Sequence, residues 1–261
     1  MLKSLVKLIL HPRKATFSSV NQLKPLIILG NGPSLNSTLA SHRDALDENP
    51  LLAVNFAANT PVFFDLKPEY YVLADPHFFN NAADPNVRKL IDSINGIDWP
   101  MTLFLPFGSK VNLANPQIRI EYFPMIAVEG SRRLELRAYN ARRGMPRPRN
   151  VLIPSIMIAI WLGFKEIYLT GADHSWPKTL SVTDQNEVVS VQPHFYEEDS
   201  RELQRIRVTQ MNMKLHELLQ HWFVAFRSYH QIQRWAEKID VKIYNATPDS
   251  FIDAFPRKCL K

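Results

Sequence analysis

Cysteine is almost absent from this chain: its 261 residues include one, Cys259. A lone thiol excludes an internal disulfide framework and any cysteine-rich metal site, and it points to a reducing compartment. No apolar run approaches the roughly 20 residues that a helix needs to cross a bilayer. Internal repeats and low-complexity tracts are also missing. Acidic residues are missing from positions 1–24, which carry Lys3, Lys7, Arg13, Lys14 and Lys24. What remains has ordinary hydrophobic content and a length that suits one large core. One α/β domain over residues 25–261 is the expectation.

The basic opening segment, residues 1–24, has a pattern of its own. Leu2, Leu5, Val6, Ile9 and Leu10 recur at helical spacing, which makes it amphipathic. It has neither the continuous apolar region nor the small-residue cleavage site of a secretory signal. The expectation is a foot on an anionic membrane surface. The alternative is a helix packed on its own domain, or a frayed terminus.

The stretch from Pro25 to Asn36 reads as a buried parallel strand over 26–29, then a sharp turn at Gly30-Asn31-Gly32. Asn36 or Ser37 can then cap a helix over roughly 36–47. The two glycines let backbone N–H groups approach a ligand, and a helix start favours a negative one. A nucleotide phosphate is the natural guest. Leu35 stands where a dinucleotide fingerprint has its third glycine, and no Walker lysine follows.

The rest of the chain alternates in the same way. Leu51–Val54 is a second buried strand ending on Asn55, and Pro61–Pro68 a turn or short helix with Phe63, Phe64 and Leu66 facing inward. Tyr70–Ala74 is a third strand, delivering Asp75, Pro76 and His77 at its carboxyl end. A helix over 85–95 and strands at 101–105 and 118–123 follow. Then come Arg132, Arg133, Arg137, Arg142, Arg143, Arg147 and Arg149 against Glu135 alone, the second half of this run being a loop. These arginines read as contacts to phosphate or another anion, or as a solvated basic face. Pro154–Gly163 is an apolar helix, residues 165–170 a strand, and Gly171-Ala172-Asp173-His174-Ser175-Trp176 its carboxyl-end loop.

Residues 176–200 are polar with few apolar repeats and read as a mobile lid, with His194 in its second half. From about residue 201 a long helical region carries Leu215, Leu218, Leu219, Trp222, Phe223 and Phe226 as a core stripe, continued by Trp235. Residues 241–245 form a last strand and 249–255 a short closing helix. In open α/β sheets ligands gather beyond the strand carboxyl ends, so Gly30-Asn31-Gly32, Asn55 and Asp75 are expected to share one crevice.

Three segments carry a family resemblance: Gly30-Asn31-Gly32-Pro33-Ser34-Leu35, the passage from Leu162 to Asp173, and the stretch from Lys242 to Ser250. Together they resemble the bacterial lipooligosaccharide sialyltransferases of glycosyltransferase family 42 and their surface-polysaccharide relatives. The resemblance implies a Rossmann-like, mostly parallel sheet flanked by helices, a variant of the glycosyltransferase A-type fold. It implies inverting transfer of a nonulosonic acid, typically sialic acid, from a CMP-sugar to a glycan or glycolipid acceptor at the cell surface. Neither a metal nor any cofactor beyond the donor is implied. A cytoplasmic place on the inner face of the bacterial membrane fits that role, and the family's tetramers make a homo-oligomer an expectation.

Asn31 and Asn55 match the family's nucleotide-touching asparagines. Asp75 falls where the family has another asparagine near the phosphate, and a carboxylate there must be paired or must bind a ribose hydroxyl. The family's phosphate-binding tyrosine is replaced, with His174-Ser175-Trp176 in its neighbourhood. Asn150-Val151-Leu152 stands where the family has Thr-Ser-Gly.

Inverting transfer needs a held leaving group, an open face at the anomeric carbon and a base for the acceptor hydroxyl. His194, in the lid like the family's base histidine, is the expected base. His174 is the competing candidate, or a donor to the departing phosphate. Arg149, Ser175 and the backbone of Gly30–Gly32 are further expected donors. Ser34, Gly171 and Asp173 complete the nucleotide-binding set. A metal reading would instead gather Asp75, His77, Asp173 and His174 as hard ligands. Two other classes compete: a pterin-type pyrophosphokinase using ATP and magnesium, and a non-catalytic anion-binding protein of membrane surfaces. Nucleic acid is not an expected partner, because the aromatics sit at core spacing rather than interleaved with basic residues.

Overall fold

The computed structural model describes residues 2–20, 23–191, 195, 205–207 and 213–260. Strands β1 (Leu26–Leu29), β2 (Leu51–Val54), β3 (Tyr70–Val72), β4 (Met101–Pro106) and β5 (Ile118–Phe123) lie side by side in chain order. The chain then returns to lay β6 (Glu166–Thr170) on the other side of β1. Three short strands, β7 (Ser181–Val182), β8 (Val188–Val191) and β9 (Arg205–Arg207), form a separate antiparallel sheet. Finally β10 (Lys242–Asn245) pairs with β6 and completes a seven-stranded parallel sheet. The direction of winding reverses between β1 and β6, and such a reversal leaves a crevice at the strand ends.

Helices cover both faces. Helix α1 (Leu2–Leu10) precedes the sheet; α2 (Leu35–Ser41) and α3 (Arg43–Glu48) follow β1; α4 (Pro61–Leu66) follows β2. Helices α5 (His77–Asn80) and α6 (Pro85–Asn95) follow β3, α7 (Arg132–Asn140) and α8 (Leu152–Leu162) precede β6, and α9 (Leu215–Ala236) precedes β10. Because both faces are covered, the strands read as continuous apolar runs. Alternate residues divide between the layers. Leu26, Ile28, Leu52, Val54 and Phe104 pack in one core with α8 and with Tyr229, Ile232 and Trp235 of α9. Ile27, Leu29 and Leu51 pack in another with Leu35, Ala45 and Leu46. Every residue of α8 is buried, as befits a helix with no polar face. None of the described helices is long and apolar enough to cross a membrane.

Several elements differ from the sequence expectations for local reasons. The helix expected over 36–47 is two helices, broken at His42, whose φ of −135° leaves the helical region. The first begins at Leu35, so Asn36 and Ser37 lie inside it instead of capping it. Phe63 faces inward, whereas Phe64 is exposed. The helical region expected from about residue 201 starts at Leu215, and Arg205–Arg207 form β9. Along α9, Leu218 and Trp222 are buried but Leu215, Leu219 and Phe223 face solvent, so the stripe is narrower than expected.

No helix forms over 249–255. Ser250 Oγ accepts from Asn245 Nδ2 (3.0 Å) and from the Ile252 N–H (3.2 Å), and it donates to Ala172 O (2.6 Å). Such side chain–backbone bonds compete with a helical ladder. Within the segment read as a lid, Trp176–Thr179 form a 3₁₀ turn leading into β7 and β8, which pack through Val188 on Leu218 and Trp222.

The N-terminal segment rests on the domain along one side. Ser4 Oγ donates to Glu129 O (2.8 Å) and accepts from the Glu129 N–H (3.0 Å), and Leu8 is buried. Beyond α1 the chain enters the core, where Phe17 meets Phe104 edge-on with ring centres 5.0 Å apart. Arg142 Nη1 donates to Phe17 O (2.9 Å), holding that passage in place. Truncating Phe17 to alanine should therefore destabilise the domain by about 3–5 kcal/mol, the usual range for a buried phenylalanine. Urea unfolding measures it, and deletion of residues 1–10, which keeps Phe17, should shift the midpoint less.

Candidate functional site

Parallel neighbours β1 and β6 run at their carboxyl ends into Gly30 and Gly171. The Gly30 N–H donates to Thr170 O (2.8 Å) and the Gly32 N–H to Gly171 O (2.8 Å). A Cβ on Gly30 would stand 2.4 Å from Gly171 O, and one on Gly171, at φ +59°, 2.3 Å from Gly30 O. The glycines are needed because two loops touch here through their backbones. The N–H groups of Gly30 and Gly32 are engaged in that contact, so the expectation that these two cradle a phosphate is corrected.

At the start of α2 the Ser34 N–H (3.3 Å) and Ser34 Oγ (2.7 Å) both donate to the Asp173 carboxylate. The anion at this turn is the protein's own. Phe195 joins the same corner: its N–H donates to Asn31 O (3.0 Å), and Asn36 Nδ2 donates to Phe195 O (3.1 Å).

A cavity of about 510 Å³ opens beside this seam, over the ends of β1, β2, β3 and β6. Of the residues expected from sequence, Gly30, Asn31, Gly32, Asn55, Asp75, Arg149, Gly171, Asp173, His174 and Ser175 line it. Ser34 sits behind Asp173. His194 lies outside the described residues.

Asn31 Nδ2 donates to Val54 O (3.2 Å), tying the Gly-Asn-Gly turn to β2. Asn55 adopts a left-handed conformation (φ +52°), fixed by the Tyr71 hydroxyl donating to its carbonyl. Its Oδ1 is buried without a partner among the described residues. A buried amide oxygen left unpaired is unfavourable, and a ligand donor would relieve it. Arg149 is exposed and makes no ion pair among the described residues.

His174 is the most buried polar group of the wall. Its Nε2 lies 2.8 Å from the Tyr229 hydroxyl and 3.3 Å from Asn150 Nδ2, and that hydroxyl donates to Asn150 Oδ1 (2.9 Å). Asn150 Oδ1 also accepts from the N–H groups of Leu152 (3.0 Å) and Ile153 (3.4 Å) at the start of α8. The network thus joins the β6 loop to α8 and α9. Trp176 covers the imidazole with ring centres 4.2 Å apart. Burial lowers the His174 pKa to about 3, so the ring is neutral at ordinary pH and is a weak proton acceptor.

Sequence reasoning missed Tyr229 and the bonding role of Asn150. Asn150 did carry a signal, a polar side chain just before an apolar helix, whereas Tyr229 shares its helix face with Trp222 and Phe226 and looks like packing.

The four residues of the metal reading do not gather. Asp75 Oδ1 accepts from the His77 N–H (2.9 Å), while the His77 ring is held by Asp84 Oδ2 (3.1 Å) and Asn81 Nδ2 (2.7 Å). Asp173 is engaged by Ser34, and His174 by Tyr229. Among the described residues no three His, Cys, Asp or Glu side chains are placed to hold one cation.

No protein-family profile and no curated protein sequence matches this chain. Among solved structures it is similar to the MAf glycosyltransferase from Magnetospirillum magneticum AMB-1, with a TM-score of 0.51 at 14% identity. The match covers 94% of this chain and 34% of that one, so the chain spans about a third of that protein's length. It shares the fold of the matched third of that glycosyltransferase. The α/β, Rossmann-like architecture implied by the sequence is thus found, while a likeness of fold does not single out the sialyltransferase family.

Neutral burial of His174 has a consequence for stability. As pH falls below 6.5, the unmodified histidine value, the unfolded chain takes up a proton that the folded chain refuses until about pH 3. Stability is therefore full above that window and declines as pH falls through it. Urea unfolding between pH 7 and pH 4 should lose a few kcal/mol, and His174→Gln should flatten the decline.

Proposed function

We propose that this chain is an inverting, metal-independent glycosyltransferase that moves a nonulosonic acid from a CMP-sugar to a cell-surface glycan or glycolipid. The observation that carries the reading is Asn55 in the lining of the switch-point cavity, its Oδ1 buried and without a partner among the described residues. It suits a donor on a nucleobase edge, such as the exocyclic amine of cytosine. The fold shared with a glycosyltransferase supports sugar transfer in general, and the family resemblance of the three sequence segments supports the CMP donor.

With the Gly30 and Gly32 N–H groups committed to the β6 loop, the leaving phosphate falls to Arg149 and Ser175, which line the same cavity. Fixed donors there would stabilise the charge that builds as the glycosidic bond to CMP breaks. In the proposed step the acceptor oxygen attacks the anomeric carbon from the far face and a new glycosidic bond forms. The bonding pair of the old bond leaves with the CMP phosphate oxygen, and the acceptor proton passes to the base. We assign that base to His194. Phe195, its neighbour in sequence, is bonded to Asn31 at the cavity edge, and a neutral His174 with a depressed pKa suits hydrogen bonding better than proton abstraction. The exposed apolar side of α1 supports a seat on the inner face of the bacterial membrane, and a homo-oligomer remains part of the proposal.

Calorimetry should find CMP bound more tightly than UMP, AMP or ATP, and Asn55→Ala should weaken CMP about tenfold, the loss of one good hydrogen bond. Tighter binding of ATP, dependent on magnesium, would replace this reading by the pyrophosphokinase one. With CMP-sialic acid as donor, His194→Ala should lower turnover by about 10²–10⁴ while CMP affinity holds. Activity should persist in EDTA; its loss there, restored by magnesium or manganese, would overturn the metal-independent scheme.

A further inference from the structure

A second cavity, of about 380 Å³, lies between α1 and the donor site. Lys7 and His11 of the N-terminal segment form one side, and Arg147, Pro148 and Arg149 the other. Met125, Pro148 and Arg149 line both cavities, so the two adjoin along one ridge. The groove is positively charged. Arg147 is bonded to Glu129, but Lys7 and Arg149 have no acidic partner among the described residues. Glu129 is already shared by Arg147 and Arg227.

Helix α1 explains what could fill such a groove. Ser4 and Leu8, one turn apart, hold its inner side to the domain. Leu2, Leu5, Val6 and Ile9 follow the i, i+3, i+4, i+7 spacing of a single stripe on the outer side, and Leu2 and Ile9 are about three-quarters exposed (76% and 74%). Lys3 and Lys7 flank that stripe, and no acid occurs before Asp44. An outward apolar stripe bordered by cations is complementary to an anionic bilayer. A soluble protein partner would have to bury the same stripe while tolerating an unrelieved positive rim.

We propose that the acceptor is a membrane lipid bearing a phosphate, held with that phosphate in the groove of Lys7, His11 and Arg149 while α1 rests in the bilayer surface. The phosphate lies at the membrane, and the sugar hydroxyl beyond it reaches over the Arg149 ridge into the donor cavity. This rests on the glycosyltransferase reading for the acceptor role, but the lipid site itself is tested without any transfer reaction.

The test uses the full chain with phosphatidylcholine vesicles, with and without phosphatidic acid, whose headgroup is a bare phosphate, and with phosphatidylserine at matched surface charge. Co-sedimentation should favour phosphatidic acid over phosphatidylserine. Ile9→Glu should abolish binding to both anionic vesicles, and Lys7→Glu should weaken phosphatidic acid binding about tenfold and erase its preference. Unchanged thermal melting of both variants confirms that they are folded. Vesicle binding indifferent to both substitutions would overturn the proposal. So would inorganic phosphate binding the groove equally in wild type and Ile9→Glu with no gain from vesicles, which would assign the groove to a soluble anion. CMP affinity, measured alongside, separates the two readings. If CMP fails to bind while the lipid preference holds, the donor assignment and the acceptor role fall together and the lipid site stands.

Discussion

Where β1 and β6 end, two backbone hydrogen bonds join loops that approach closely enough to exclude any side chain at Gly30 and Gly171. Most of the site depends on that contact. It brings Asp173 to the start of α2, where Ser34 binds it, and it sets the turn from which His174 enters the core with φ at +49°. The β6 loop is gripped from a third side by the C-terminal segment. Thr247 Oγ1 accepts from the Ala172 N–H (3.0 Å), Ser250 Oγ donates to Ala172 O, and the Phe251 N–H donates to Asp173 O (2.9 Å). Asn245, Thr247 and Ser250 are buried polar residues, and each finds its partners in this knot. Irregular backbone tolerated in a core has to be satisfied in this way.

The seam also sets the electrostatics of the cavity. With a carboxylate at the Gly-Asn-Gly turn, a second negative charge at the same spot would be repelled, and the Gly30, Gly32 and Ser34 N–H groups are already engaged. Arg149, which has no acidic partner among the described residues, lines the same cavity. A negative charge in the cavity is attracted by Arg149 and repelled by Asp173. A sequence pattern that signals a phosphate cradle elsewhere serves here as a joint between strands.

How much of this was legible in the sequence depended on whether a local pattern or a distant partner decided the outcome. Apolar runs ending in Asn55, Asp75 and Gly171 announced strands and a crevice, because burial on both faces leaves no other composition. The lining of the cavity followed from strand order alone. The use of the glycine N–H groups was not legible, since it depends on which strand lies beside β1, and nothing near residue 30 names β6. Ser250 was misread for the same reason: in isolation Asp249–Phe255 suits a helix, but Asn245 and Ala172 offer its hydroxyl better partners. The faces of α9 were blurred because its apolar residues outnumber the inward positions, and the surplus, Leu219 and Phe223, is exposed.

Glu129 carries the last link between the parts. Its backbone holds Ser4 of α1, and its carboxylate takes Arg147 from the cavity rim and Arg227 from α9. The Arg147 hydrogen bond is the main reason its carboxyl titrates below the usual range, with attraction to both arginines adding to it. A carboxylate shared in this way neutralises the rim next to α1 without covering Lys7 or Arg149. Had Glu129 been apolar, Arg147 and Arg227 would lose the charge that both engage, while Ser4 of α1 would keep its two bonds to the residue 129 backbone. One residue thus places the amphipathic helix through its backbone and sets the charge balance beside the groove through its carboxylate.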